Sequence, residues 1–195
     1  MTEAQFYSHL RLAHFHWKQL IQEGDYVIDA TCGNGNDTLV LSQFVLQKSG
    51  GRVWAFDKQQ QAIEKTSALL AAHLSSEQLA RVSLIRGCHS RLIEEIPPQS
   101  IQHIVYNLGY LPGGNKAITT KTETTLQSLT NALGLLKPGG SLSVTCYPGH
   151  REGKEEQEAV LRFFSSLSNG MWTICRHTWV NRPRAPSLFL LQKRM

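Results

Sequence analysis

The chain has 195 residues, 41% of them hydrophobic, with a net charge of +5 and a pI near 9.1. That size and composition suit one domain, residues 1–195, around a single large core. No apolar run reaches the roughly 18 residues a membrane span needs. The N-terminus carries neither a signal- nor a transit-peptide pattern, which points to the cytoplasm.

Residues from about Ala4 to Gln22 read as an amphipathic helix with Phe6, Leu10, Ala13, Trp17, Leu20 and Ile21 on its apolar side. His14 and His16 flank Phe15 there and read as solvated or packed side chains rather than ligands. Val27, Ile28 and Ala30 continue an apolar run that predicts a buried parallel strand, closing at Asp29. The chain then turns through Gly33 and Gly35, and a helix starts near Asp37. Val53-Trp-Ala-Phe-Asp57 reads as the second strand, with a helix from about Gln60 to His73 after it. Val82 to Arg86 is the third strand, followed by Gly87-Cys-His-Ser90. Pro97 and Pro98 break the chain before a fourth strand, Ile101 to Asn107. A helix from about Glu123 to Leu136 leads to a tight turn at Lys137-Pro-Gly-Gly140 and a fifth strand, Leu142 to Tyr147. A helix from about Glu155 to Leu167 follows. Met171 to Val180 and Leu188 to Gln192 are β-rich, and their short connection predicts an antiparallel pair. Repeated βα units predict a doubly wound, mainly parallel sheet with helices on both faces.

The corner after the first strand carries the chemistry. Its glycines let backbone approach a ligand where a Cβ would collide, and strand, turn and helix N-terminus form a nucleotide-binding corner. A dinucleotide fold offers that N-terminus to a pyrophosphate and favours a third glycine. Here that position is Thr38, and Asp29 and Asp37 flank the turn. Two carboxylates repel a diphosphate and suit S-adenosyl-L-methionine, with its ammonium and sulfonium. Asp57 ends the second strand, where an acid accepts ribose hydroxyls. NAD needs that acid too, so Asp57 marks a nucleoside without saying which. Cys32, Cys88, Cys146 and Cys175 are scattered, which argues against a metal site or a disulfide framework and for a reducing compartment.

Several segments together resemble one family. They are Asp29-Ala-Thr-Cys-Gly-Asn-Gly-Asn-Asp-Thr38, Phe56-Asp57 with Gln59, Cys88-His89-Ser90, Asn107-Leu-Gly-Tyr-Leu-Pro-Gly-Gly114 with Lys116, Tyr147 with Gly149-His150, and Asn181-Arg-Pro with Ala185-Pro186. The order of signals is similar to class I S-adenosylmethionine-dependent methyltransferases of the Rossmann-like type. More narrowly, the chain resembles the small family labelled rRNA methylases, whose characterised bacterial members methylate 5-aminomethyluridine at the tRNA wobble position. Asn115 stands where an Asp is common in that family, and Pro148 where bacterial members often have His. The tail around Asn181-Arg-Pro is closer to plant members. The resemblance implies a seven-stranded sheet with an antiparallel C-terminal strand. It also implies that Asp29, Gly33, Asn34, Gly35, Asn36, Asp37, Asp57, Gln59, Cys88, His89 and Asn107 hold the cofactor.

The remaining candidates concern the methyl acceptor. Asn107 ends the fourth strand, where open α/β sheets bind ligands. Asn107-Leu-Gly-Tyr110 resembles the Asn-Pro-Pro-Tyr motif of amino-methylating enzymes, with the amide orienting an amine and Tyr110 bordering the base. Tyr147 and His150 follow the fifth strand, on the same crevice, and an imidazole there suits a general base. Arg176, Arg182, Arg184, Lys193 and Arg194 concentrate positive charge near the C-terminus, and Lys116, Lys121, Arg151 and Lys154 flank the crevice. With Trp179, Tyr110 and Tyr147 for stacking, they suit an anticodon stem-loop of tRNA. The loop from Gly109 to Thr120 is expected to close on substrate. A homodimer is compatible with these features, and the alternative acceptors are rRNA or a small molecule. A non-catalytic RNA-binding protein and a dinucleotide oxidoreductase fit less well, because the corner acids are intact and the third glycine is absent.

Overall fold

In the computed structural model, residues 8–94, 96–111, 113 and 119–195 are described. The first helix, α1 (His9–Leu20), starts at Ser8, whose hydroxyl accepts from the Arg11 N–H. The expected start near Ala4, with Phe6, lies outside the described residues. After α1 come β1 (Tyr26–Asp29), α2 (Asn36–Val45), β2 (Arg52–Asp57), α3 (Gln60–His73), a short α4 (Ser76–Leu79) and β3 (Val82–Arg86). A 3-10 segment, His89–Glu94, precedes β4 (Ile101–Asn107), and α5 (Thr122–Leu135) leads into β5 (Leu136–Cys146). The chain closes with α6 (Arg151–Ser165), β6 (Trp172–His177) and β7 (Ser187–Lys193).

The sheet order is β3-β2-β1-β4-β5-β7-β6. The first five strands of that order run parallel, and β7 pairs antiparallel with both β5 and β6. The order reverses between β1 and β4, so their C-terminal ends open a crevice where no helix crosses over. This is the doubly wound, mainly parallel sheet that the βα alternation predicts, with the seven strands and antiparallel final strand that the family resemblance implies.

Strand alternation builds two cores. Ile28, Trp54, Phe56, Ile104 and Tyr106 face one way, onto Leu129, Ala132 and Phe164 of α5 and α6. Val27, Val53 and Val105 face the other, onto Trp17, Leu41, Val45 and Leu70 of α1 to α3. Each such side chain buried from water contributes about 1.5–3 kcal/mol. Two buried rings are paired: the Trp17 indole donates to Ser143 Oγ at 3.0 Å, and the His103 ring lies 2.7 Å from Ser141 Oγ and 3.1 Å from Ser143 Oγ. The first bond pins α1 to β5.

Three local expectations differ from the structure. The Lys137-Pro-Gly-Gly140 turn lies inside β5 as a bulge, with Leu136 opposite Ile101 and Ser141 opposite His103. A Cβ on Gly140 would meet the Lys137 and Ile101 carbonyls at 2.8 and 2.9 Å, so the bulge needs glycine there. Helix α6 starts at Arg151 rather than near Glu155, because His150 caps it. The short α4 was not expected, although its capping box, Ser75 with Gln78, is written in the sequence.

Candidate active site

The cofactor corner is built from backbone. Gly33 and Gly35 have φ of 54° and 85°, in the left-handed region. They serve different ends. Gly33 lines the crevice, whereas a Cβ on Gly35 would lie 2.9 Å from Thr66 Cα, so Gly35 lets α3 approach the turn. Asp57 Oδ2 accepts the Gly33 N–H at 3.1 Å, and Oδ1 accepts the Gln59 N–H at 2.9 Å. Two fixed donors thus aim this carboxylate into the crevice.

Asp29 is placed differently from its expected role. It is fully buried and does not line the crevice. Thr38 Oγ1 donates to it at 2.6 Å and the Thr31 N–H at 3.1 Å, so it braces the turn from behind. Burial, with Asp37 and Asp57 nearby, pushes its carboxyl up to about 7.

The crevice encloses about 980 Å³. It brings together Gly33, Asn34, Asn36, Asp37, Asp57, Gln59, His89, Asn107, Tyr110, Tyr147 and His150, eleven residues singled out in the sequence. Gly35, Cys88 and Asp29 stand outside its lining. Residues not expected there include Leu10, Lys58, Glu152 and Pro186, and Arg184 reaches it from the basic C-terminal segment. His89 is buried, its Nε2 has no partner among the described residues, and burial with Lys58 nearby lowers its imidazole to about 4. It is therefore a neutral ring on the crevice wall.

The other end of the crevice centres on Asn107. Its N–H donates to Thr31 Oγ1 at 2.7 Å, and its Nδ2 donates to Asp37 Oδ2 at 2.6 Å. The carboxylate fixes the amide's orientation, because only the NH2 side can face it. The Oδ1 is left buried with no partner among the described residues. Asp37 Oδ1 lies 2.7 Å from His14 Nε2, so α1 reaches the site, contrary to the reading of His14 as merely solvated or packed. His9 Nε2 also lies 3.1 Å from the Tyr147 hydroxyl.

A buried carboxylate that the sequence reading missed holds the loop after β4. Gly109 N–H donates to Thr120 Oγ1 at 2.9 Å, and Thr120 Oγ1 donates to Glu156 Oε2 at 2.7 Å. Thr125 donates to Glu156 Oε1 at 2.7 Å, and burial raises this carboxyl above its ordinary value. Tyr110 stays half-exposed, its ring 6.1 Å from that of His150. The rest of the expected mobile loop, Pro112 and residues 114–118, lies outside the described residues. His150 Nδ1 accepts the Gly153 N–H at 3.1 Å, capping α6. The four cysteines are free thiols, and no group of three metal-ligating side chains occurs among the described residues. No helix among them is long and apolar enough to cross a membrane.

These features match known proteins. A family model described as "Putative rRNA methylase" matches residues 53–193. The tRNA (mnm(5)s(2)U34)-methyltransferase, chloroplastic, of Arabidopsis thaliana is 47% identical over 187 residues, 94% of this chain and 68% of that protein. A Clostridium thermocellum structure described in the family's own terms is 36% identical, covers 97% of this chain and all of that one, and has a TM-score of 0.90. A Streptococcus mutans methyltransferase structure in complex with SAH is 31% identical, covers 97% of this chain and 99% of that one, and has a TM-score of 0.82. The sheet order is thus that of a Rossmann-like methyltransferase fold, and the chain belongs to the rRNA methylase family.

Proposed function

We propose that this chain, as one methyltransferase domain, moves a methyl group from S-adenosylmethionine to the aminomethyl nitrogen of 5-aminomethyl(-2-thio)uridine at tRNA wobble position 34. The observation that carries the reading is the unpartnered Oδ1 of Asn107, held in the crevice by the Asp37 carboxylate. An acceptor oxygen there suits an amine N–H. The 47% identity to a tRNA wobble-uridine methyltransferase supports the same substrate.

The crevice fits the methyl donor. Asp57, already aimed by two N–H groups, has lone pairs left for both ribose hydroxyls. Gly33 allows close backbone approach, and the neutral His89 borders an adenine. Asp37 and Asp57 on the wall, with Asp29 behind it, favour a cationic ligand. Bound S-adenosylmethionine supplies an electrophilic methyl group. The protein positions the acceptor nitrogen in line with it and excludes water, which carries most of such a displacement. Asn107 Oδ1 orients the amine, while Tyr110 and Tyr147 border the base.

The partner is the anticodon stem-loop of tRNA. Arg184 at the crevice and Arg182, stacked over Trp179 at 5.1 Å, form the basic approach. Binding to such a stem-loop weakens steeply with added salt as counterions are released, and charge reversal at Arg182 and Arg184 weakens it further. Free thiols suit a reducing compartment such as the cytoplasm. The test is mass spectrometry of nucleosides from a deletion strain. Accumulated 5-aminomethyluridine derivatives in tRNA support the reading, and an unmethylated rRNA nucleoside with normal tRNA overturns it.

A further inference from the structure

The proposed acceptor is a primary ammonium in water, and only its neutral form has a lone pair to attack a methyl group. The site therefore needs a route for one proton. His150 is poorly built for it. Its Nδ1 accepts the Gly153 N–H and lies 3.2 Å from the Glu152 carboxylate, so that nitrogen is taken up in capping α6, and its Nε2 is buried with no partner among the described residues.

His14 has the opposite geometry. Its Nε2 lies 2.7 Å from Asp37 Oδ1, and Asp37 Oδ2 holds Asn107 Nδ2 at 2.6 Å. Asp37 lines the crevice and His14 does not. The His14 side chain is 33% exposed and opens on the far side into a shallow groove with Arg11, Phe15, Lys18, Val40 and Phe44. The pair thus spans from the crevice wall to solvent. The groups facing it are the Trp17 ring, 4.6 Å from that of His14, and His9, Asp29, Tyr147 and Asn107 around Asp37. Arg11 and Lys18 line the groove end.

We propose that His14, acting through Asp37, is a positioning residue that carries the acceptor's surplus proton from the crevice to water. This rests on the amine-methylating function proposed above. The ammonium gives a proton to the Asp37 carboxylate, which passes it to Nε2 of His14 in the ring tautomer whose hydrogen sits on Nδ1. The products are a neutral amine and an imidazolium paired with Asp37. The amine lone pair then forms the N–C bond as the methyl C–S bond breaks, its electron pair staying on sulfur. The imidazolium releases its proton to water at the exposed edge of the ring, leaving a methylated secondary ammonium as product.

The test is single-turnover methylation of an anticodon stem-loop carrying 5-aminomethyluridine, at saturating S-adenosylmethionine, across pH. His14→Gln keeps an amide that can donate to or accept from Asp37 but cannot titrate. Its rate at neutral pH is expected to fall about tenfold or more and to converge on wild type in alkaline buffer, with cofactor affinity unchanged. Added imidazole is expected to raise the rate of His14→Ala. A His14→Gln profile that superimposes on wild type overturns the relay, and so does a loss that is the same at every pH. A wild-type protein silent on this RNA overturns the substrate assignment, and the relay with it.

Discussion

The two ends of the crevice are assembled in opposite ways. The cofactor end is made by neighbouring turns: Asp57 is held by N–H groups from Gly33 and from Gln59, two residues beyond it. The acceptor end is gathered from afar. His14 of α1 meets Asp37 of α2, His9 meets Tyr147 across 138 residues, and Glu156 of α6 clamps Thr120. The first end rests on backbone donors close to its acid, and the second, proposed to hold the acceptor, on side-chain contacts that no short motif contains. Binding and chemistry are therefore separable by mutation.

The sharpest separation comes from Asn107→Ala. It removes the oxygen proposed to orient the amine, and the single-turnover rate is expected to drop about a hundredfold, as when one preorganised polar group is lost. Calorimetric affinity for S-adenosylmethionine is expected to stay nearly intact. A variant that methylates at the wild-type rate would remove this loop from the chemistry. Asp57→Ala is the converse. Losing charge-assisted bonds to the ribose is expected to weaken cofactor binding by about 2 kcal/mol, roughly thirtyfold. Unchanged affinity in the folded variant would break the division between the two ends.

Gly153→Ala probes how tightly the acceptor end is packed. Its Cβ would sit 2.3 Å from the Tyr147 carbonyl and 3.0 Å from the His150 ring. Helix α6 must shift, and thermal unfolding is expected to show a loss of about 1–2 kcal/mol. An unchanged melting temperature would mean that the His150 cap is loose.

The smallest effect is the pH dependence set by Asp29. Its carboxyl is raised in the folded state to about 7, from 3.8. Between those values the folded protein binds more protons than the unfolded chain, so this group's stabilising contribution falls as pH rises through about 7 and is level above it. Asp29→Asn is expected to flatten that slope. A cationic cofactor favours the ionised carboxyl, so binding below pH 7 is expected to release protons in the wild type and fewer in Asp29→Asn. Equal proton release would leave Asp29 uncoupled from the ligand.

The glycine corner and its acids were legible in the sequence because their pieces are local. Apolar strands ending in Asp29 and Asp57, with Gly33 and Gly35 between them, are contiguous features with few structural solutions. The mainly parallel sheet and the antiparallel pairing of the last two strands follow from βα alternation and a short final connection, whereas the strand order is seen only in the structure. Asn107, Tyr147 and His150 were legible as strand-end residues. His14, His9 and Glu156 were not, since periodicity says which face of a helix is polar and not what that face meets. The apolar stripe of α1 shows the same limit. Ala13 and Trp17 are buried as expected, but Leu10 is exposed at 37% and lines the crevice. Gly35 fits its motif yet serves helix packing, because α3 is invisible from the motif alone.

The most direct measurement follows a labelled methyl group. The protein is given S-adenosylmethionine with a labelled methyl and two synthetic anticodon stem-loops, one with 5-aminomethyluridine at the wobble position and one with plain uridine. The expected result is label on the aminomethyl nitrogen of the first and none on the second. Label on the plain uridine RNA, or on neither, would contradict amine methylation at the Asn107 site.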